Sequence, residues 1–219
     1  MINLAFDTTA QSCSVALTKD GVVLAKSIQK MDFGQAEALM PAIQKVLDEN
    51  KITINDVDLI TVCTGPGSFT GVRSSLSAAR TFGLALPNVG LTGVSAFETY
   101  IEDMMPDELA EINAVIIETK RSDFYFQAFD QHKKPICQPQ ALMYDDIINQ
   151  LRNHKVSFIG DGVERFLNQP SGLSLHAIRM EEIPPVVALA KCGENRYAKK
   201  NLDYPKPLYL RAPDVCVKG

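Results

Sequence analysis

The sequence predicts an α/β protein built from two stacked domains with mixed sheets, the second reduced. Two observations predict it. Short alternating strands open the chain and give way to strand–helix alternation, and the same order restarts near residue 113. Both halves read strand, strand, strand, helix, strand, helix, which is an internal duplication of architecture without evident identity of sequence. The predicted division is residues 1–104 and 105–219, with the last long helix packing at the domain junction.

Residues 2–8, 12–18 and 22–29 form the opening strands, because apolar and smaller or polar side chains alternate along them. Lys19-Asp20-Gly21 turns the second into the third, since Asp-Gly tolerates the positive φ of a tight hairpin. Residues 34–50 then carry Ala36, Leu39, Met40, Ile43, Val46 and Leu47 on one helical stripe, with Pro41 expected to kink the axis. A buried strand at 59–63 leads through a glycine-rich turn into a helix ending near Leu86. A short strand at 89–91 follows, then a helix capped by Ser95 with Glu98 three positions on. The second half repeats with strands at 114–118 and 124–129, a weak third, a helix at 144–152, a strand at 156–159 and a short helix at 163–167. Pro184-Pro185 opens the last helix, 186–199.

With 46% hydrophobic and 22% charged residues over 219 positions, a folded core is expected. The net charge of −4 supplies no overall field to hold nucleic acid, so RNA, if involved, is expected to be held by something else. Five widely spaced cysteines, at 13, 63, 137, 192 and 216, form no Cys-x-x-Cys pair. The three histidines, His132, His154 and His176, stand too far apart for a helical metal pair, so no metal is expected. The opening residues lack a signal-peptide pattern and no stretch is apolar enough to span a membrane, so a soluble cytoplasmic protein is expected. Glu102-Asp103, Asp145-Asp146 and Glu181-Glu182 read as surface acids at helix ends and loops.

Three stretches could carry chemistry. Asp7, Thr8 and Thr9 stand where the first strand turns, a place where an acid can hold a hydrated cation and hydroxyls can face phosphate. They could equally serve the turn itself. Gly65-Pro66-Gly67-Ser68-Phe69-Thr70-Gly71-Val72-Arg73 matches neither the phosphate-loop nor the dinucleotide fingerprint, and leaves open an anion site or a structural turn fixed by Gly65, Gly67 and Gly71. The helix after it is rich in small side chains, and with the preceding helix could form half of a four-helix bundle with a partner.

These motifs resemble a known family. Phe6-Asp7-Thr8-Thr9 with Ser12 to Leu17, Ala36-Glu37-Ala38-Leu39-Met40-Pro41, and above all the run from Thr64 to Arg73 are similar to the bacterial TsaB (YeaZ) family of accessory proteins in tRNA threonylcarbamoyladenosine synthesis. Glu118 to Arg121 leading into Phe124-Tyr125, Gly160-Asp161-Gly162, and the closing Pro207 to Asp214 extend the resemblance over the whole chain.

The resemblance implies an actin-like, RNase H-like fold of the sugar-kinase and Hsp70 type, with ATP in the cleft of active members and a hairpin from each domain on its phosphates. It implies a degenerate, non-catalytic member without a cofactor. Such a member pairs through N-terminal helices with the transferase TsaD, and with the small ATPase TsaE, or with a second copy of itself. Interface candidates are Glu37, Met40, Ile43, Leu47, Arg73, Leu76, Ala79 and Arg80, and Asp7, Thr8 and Thr9 are candidates for a vestigial phosphate site. The second hairpin, Glu118 to Asp123, has no glycine with which to close on phosphate. The first long helix lacks the His-x-x-x-His pair of the catalytic paralogues, and Gln35 replaces the single histidine common in the family. Two other activities follow from the same resemblance: an active small-molecule kinase or ATPase using Asp7 and Thr9, and, much less supported, a metal-dependent peptidase.

Overall fold

The computed structural model describes residues 1–169 and 171–211; Ala212-Pro213-Asp214 of the closing motif and Cys216 lie outside them. The first half contains β1 (Ile2–Asp7), β2 (Ser12–Lys19), β3 (Val22–Lys30), α1 (Gln35–Glu49), β4 (Leu59–Cys63), α2 (Phe69–Ala85), β5 (Gly90–Val94) and α3 (Ala96–Asp103). The second contains β6 (Ile112–Glu118), β7 (Asp123–Phe129), β8 (Gln140–Met143), α4 (Tyr144–Leu151), β9 (Lys155–Gly160), α5 (Val163–Leu167), β10 (Ser174–Met180) and α6 (Val186–Ala198).

The two sheets have one topology. The first is ordered β3-β2-β1-β4-β5 and the second β8-β7-β6-β9-β10, each with an antiparallel meander followed by parallel strands. The duplication is therefore fuller than the sequence predicts, because β10 completes the second sheet where no strand is expected. Two smaller differences concern the first half. β5 runs three residues further than predicted, and α2 starts at Phe69, which puts Gly71 in its first turn rather than in the loop.

Period-2 alternation explains why the central strands β1, β2 and β4 of the first sheet are buried on both faces, while the edge strand β3 is exposed. Leu4, Phe6, Cys13, Val15 and Leu17 face α1 and α2, whereas Ala5 and Ala16 face the opposite side. There α6 crosses the sheet at close range; a Cβ on Gly193 would stand 1.9 Å from the Thr61 hydroxyl. Asn3, fully buried beneath it, donates to Ala190 O at 3.0 Å and accepts from the Thr61 hydroxyl at 2.9 Å, so its burial leaves no orphaned amide. α3 and α6 pack together between the two sheets, and α4 and α5 cover the outer face of the second. The layers thus run α1/α2, sheet, α3/α6, sheet, α4/α5.

Asp20 and Gly21 adopt the positive φ that the hairpin requires, and Ser95 and Glu98 form the predicted capping box. Pro41 lies within α1 without ending it. The acid pairs are not all idle: Asp103 and Glu181 both hold Arg179 of β10, and Glu102 holds Lys191. No helix among the described residues is long and apolar enough to cross a membrane.

Candidate functional site

The ends of β1 and β6 face a common cleft of about 350 Å³ between the two halves. Each strand ends in an acid, Asp7 or Glu118, and each acid accepts the amide two residues on: Thr9 N at 2.6 Å and Lys120 N at 2.5 Å. The halves then diverge.

In the first half the turn is clasped to its own domain. Thr8 donates its hydroxyl to Gly71 O at 2.7 Å, and Ser68 N donates to Thr9 O at 2.7 Å. Thr8 and Thr9 are buried, and the Thr8 hydroxyl is turned to the first turn of α2. The glycine run is accordingly a clasp: a Cβ on Gly67 would come within 2.3 Å of Thr9 O, and one on Gly71 within 1.9 Å of Thr8 O. Gly65 stands at φ +94°, and its carbonyl accepts Ala96 N at the start of α3. Asp7 retains one oxygen, Oδ2, without a partner, and burial pushes its carboxyl above the usual carboxylate range despite the Thr9 amide.

In the second half the acid is neutralised internally. Arg165 of α5 grips Glu118 with two bonds, Nε to Oε2 at 2.6 Å and Nη2 to Oε1 at 2.9 Å, and also donates to Asp123 O at 2.7 Å. Its guanidinium carbon lies 3.7 Å from the centroid of the Phe124 ring. Burial would raise the Glu118 carboxyl, but Arg165 and the Lys120 amide bring it below its ordinary value. Asp161, between Gly160 and Gly162, accepts the Glu118 amide at 2.9 Å, and burial pushes its carboxyl up to about 7. Tyr100 of α3 closes the floor with its hydroxyl buried and unpartnered.

The charged residues lining the cleft are Glu118, Asp161, Asp32 and Lys120, of which Glu118 is already paired with Arg165. The one arginine beside Glu118 is already engaged, and no cluster of three metal-ligating side chains occurs among the described residues. Sequence reasoning missed Arg165 and Tyr100, which carry no motif. Asp161 had a signal, an acid flanked by glycines just after a strand.

The interface candidates divide by burial. Ile43, Leu47, Leu76 and Ala79 lie in the core between α1, α2 and the first sheet, and are corrected from partner contacts to home-domain packing. Glu37, Met40 and Arg73 are exposed. Arg80 is half-buried and donates to Pro205 O at 2.8 Å. Phe33, 90% exposed before α1, and Leu84, 88% exposed in the last turn of α2, are apolar side chains that the sequence did not single out.

A family model described as "TsaD: tRNA N6-adenosine threonylcarbamoyltransferase" matches residues 34–212. Among curated relatives, the tRNA threonylcarbamoyladenosine biosynthesis protein TsaB of Haemophilus influenzae is 30% identical over 177 residues, covering 73% of this chain and 71% of that one. The TsaB of Escherichia coli is 26% identical over 223 residues, covering 95% and 94%. In structure, YeaZ from Pseudomonas aeruginosa superposes with a TM-score of 0.83 at 22% identity, over 95% of this chain and 99% of that one. The fold is also shared with the activator of the 2-hydroxyisocaproyl-CoA dehydratase from Clostridium difficile, at a TM-score of 0.52 and 9% identity over 93% of this chain and 98% of that one. From the family model over most of its length and the similarity to TsaB relatives, the chain belongs to the TsaD family, in its TsaB (YeaZ) branch.

Proposed function

We propose that this chain takes part in tRNA threonylcarbamoyladenosine modification as a non-catalytic docking subunit. In this reading residues 1–104 are the docking half and residues 105–219 a reduced half that no longer grips nucleotide. The relatives' names support the pathway. The observation that carries the non-catalytic role is the internal capture of Glu118 by Arg165, which fills the second hairpin with an ion pair where an active member would receive phosphate.

TsaD is the partner proposed for the outer faces of α1 and α2, with TsaE joining that complex; a second copy of this chain would use the same faces when TsaD is absent. Phe33, Met40 and Leu84 are its apolar anchors, with Glu37 and Arg73 as charged contacts. Burying three such side chains at about 1.5–3 kcal/mol each gives a gross gain of roughly 4–9 kcal/mol before association entropy is subtracted. That range reaches a specific complex only if these side chains are buried centrally, as hot-spot residues are.

The test is reconstitution of tRNA modification from purified components, with and without this chain. Modification that depends on the chain, while the isolated chain turns over no ATP, is the expected result. Modification at full rate without it overturns the proposal. The kinase or ATPase reading draws on the unpartnered Asp7 Oδ2; magnesium-dependent ATP binding abolished by Asp7→Ala would establish it instead.

A further inference from the structure

The chain crosses between the two sheets at residues 104–111, from α3 to β6, and again at 181–185, from β10 to α6, which packs on the first sheet. A change in the angle between the halves is taken up in these two crossings, because their torsions can turn without tearing a sheet. The second crossing also faces the cleft. Pro184 lines it, and Glu182 and Ile183 line the cavity of about 440 Å³ that continues it past Asp32 and Asp161.

One guanidinium holds both crossings. Arg179 of β10 donates to Asp103 O at 2.7 Å and to the Asp103 carboxylate, and reaches Glu108 Oε2 at 3.3 Å. Its Nε and Nη2 donate to Glu181 Oε1 at 3.1 and 2.9 Å. Asp103 ends α3 where the first crossing leaves it, Glu108 lies within that crossing, and Glu181 opens the second. The first crossing is also held by its carbonyls: the Ser157 hydroxyl donates to Glu108 O at 2.6 Å, and His176 Nε2 to Asp107 O at 2.9 Å. Lys30 of β3 pairs with Glu182 and ties the second crossing to the first sheet. The Arg179 side chain is 26% exposed and its three acids 28–33%, so salt screens them less than pairs on open surface. Without Arg179 three carboxylates would face one another, and their repulsion would press the crossings apart.

We propose that Arg179 is a clamp that sets the angle between the two halves, and with it the width of the cleft, by bonding the two crossings to one another. A planar fork of five donors serves three carboxylates in fixed directions, and a lysine ammonium cannot span them. Because the bonds are charge-assisted and partly buried, they hold the crossings more firmly than neutral hydrogen bonds would. The clamp is independent of the tRNA-modification reading, since it concerns how the cleft is held and not what occupies it.

The test is hydrogen–deuterium exchange of the full chain, read by mass spectrometry for the parent, Arg179→Ala and Arg179→Lys. Both variants are expected to exchange about tenfold faster over residues 103–110 and over 181–186, while β4 in the middle of the first sheet keeps its protection. Glu181→Gln, which leaves Arg179 on Asp103 and Glu108, should give a smaller rise, and it carries the test if Arg179→Ala does not fold. A second measurement reads the cleft itself. Nitroxide labels on Gln11→Cys and Lys120→Cys, one from each half, are followed by double electron–electron resonance after Cys137, Cys192 and Cys216 are replaced by serine. Their distance distribution is expected to broaden when Arg179 becomes alanine. Unchanged exchange over 103–110, or acceleration confined to the residues beside position 179, overturns the clamp. So does equal acceleration of every segment including β4, which would make Arg179 a matter of global stability, and so does a distance distribution of unchanged width.

Discussion

The carbonyl oxygen of Thr8 lies 1.9 Å from the point a Cβ on Gly71 would occupy. The first turn of α2 is therefore pressed against the backbone of the β1–β2 turn, and the Thr8 hydroxyl bond to Gly71 O closes the same contact from the other side. The second half repeats the device: Cβ atoms on Gly160 and Gly162 would meet Ile116 O at 2.1 Å and Glu118 N at 3.0 Å. In each half, glycines let the strand-to-helix turn close on the hairpin.

Gly71→Ala is expected to destabilise the protein by about 1–3 kcal/mol, because backbone, not a flexible side chain, stands in the way. Gly83→Ala in the same helix meets only the end of Leu91 and removes a helix-interior glycine, so it should be neutral or stabilising by up to about 1 kcal/mol. Urea unfolding of the two variants measures the difference, and equal effects would contradict the clasp.

The Glu118–Arg165 pair predicts an asymmetry. Arg165→Ala leaves a partly buried carboxylate without its two bonds and should cost about 1.5–3 kcal/mol. Combining it with Glu118→Gln removes the stranded charge, so the double variant should be less destabilised than the sum of the two single changes. A double-mutant cycle by denaturant unfolding reads the coupling directly. If the variants instead gained ATP binding, the ion pair would be a removable block on a working site.

Asp161 makes a pH prediction whose sign is fixed. Burial holds its carboxyl at about 7, above its unfolded value, even though the Glu118 amide pulls it down. The native state then binds the proton more tightly than the unfolded chain, so this group's contribution is fully present at low pH and declines as pH rises toward 7. Asp161→Asn keeps an oxygen for the Glu118 amide and has no proton to lose. Its melting temperature should exceed that of the parent at about pH 8 and approach it near pH 4. A slope remains in the variant, because burial raises Asp7 in the same direction. Identical pH profiles for parent and variant would rule out the raised carboxyl.

Much of the fold was legible because local chemistry and burial agree. Leu59–Cys63 reads as a buried strand and is buried at every position; Asp20-Gly21 and the Ser95–Glu98 box stand where their residue types require. β10 was not legible for a physical reason. It is an edge strand with Leu175, Ile178 and Met180 exposed, and an irregularity between Leu175 and Ile178 shifts its phase, so no period-2 pattern survives in the sequence. Arg165 lies 47 residues from Glu118, and nothing local pairs them. The acid at the end of each first strand was visible only for Asp7, since Glu118 was read for the missing glycine beside it.

The same physics bears on the interface and yields the last prediction. A helical apolar stripe marks mainly the face a domain buries for itself, so Ile43, Leu47, Leu76 and Ala79 point inward, and a docking face must be sought among the apolar residues the domain leaves exposed. Ala79→Glu would drive a carboxylate into a fully buried site between α2 and the sheet and is expected to unfold the chain, which makes it useless as a probe of docking. Met40→Glu and Leu84→Asp place charge on side chains 50% and 88% exposed, so melting temperatures should stay within a few degrees of the parent. In a complex that buries them, the same charges would be desolvated without a partner, and co-elution with TsaD should be lost or weakened at least tenfold. Retention of the complex by both variants, with the chain folded, would remove α1 and α2 as the docking face.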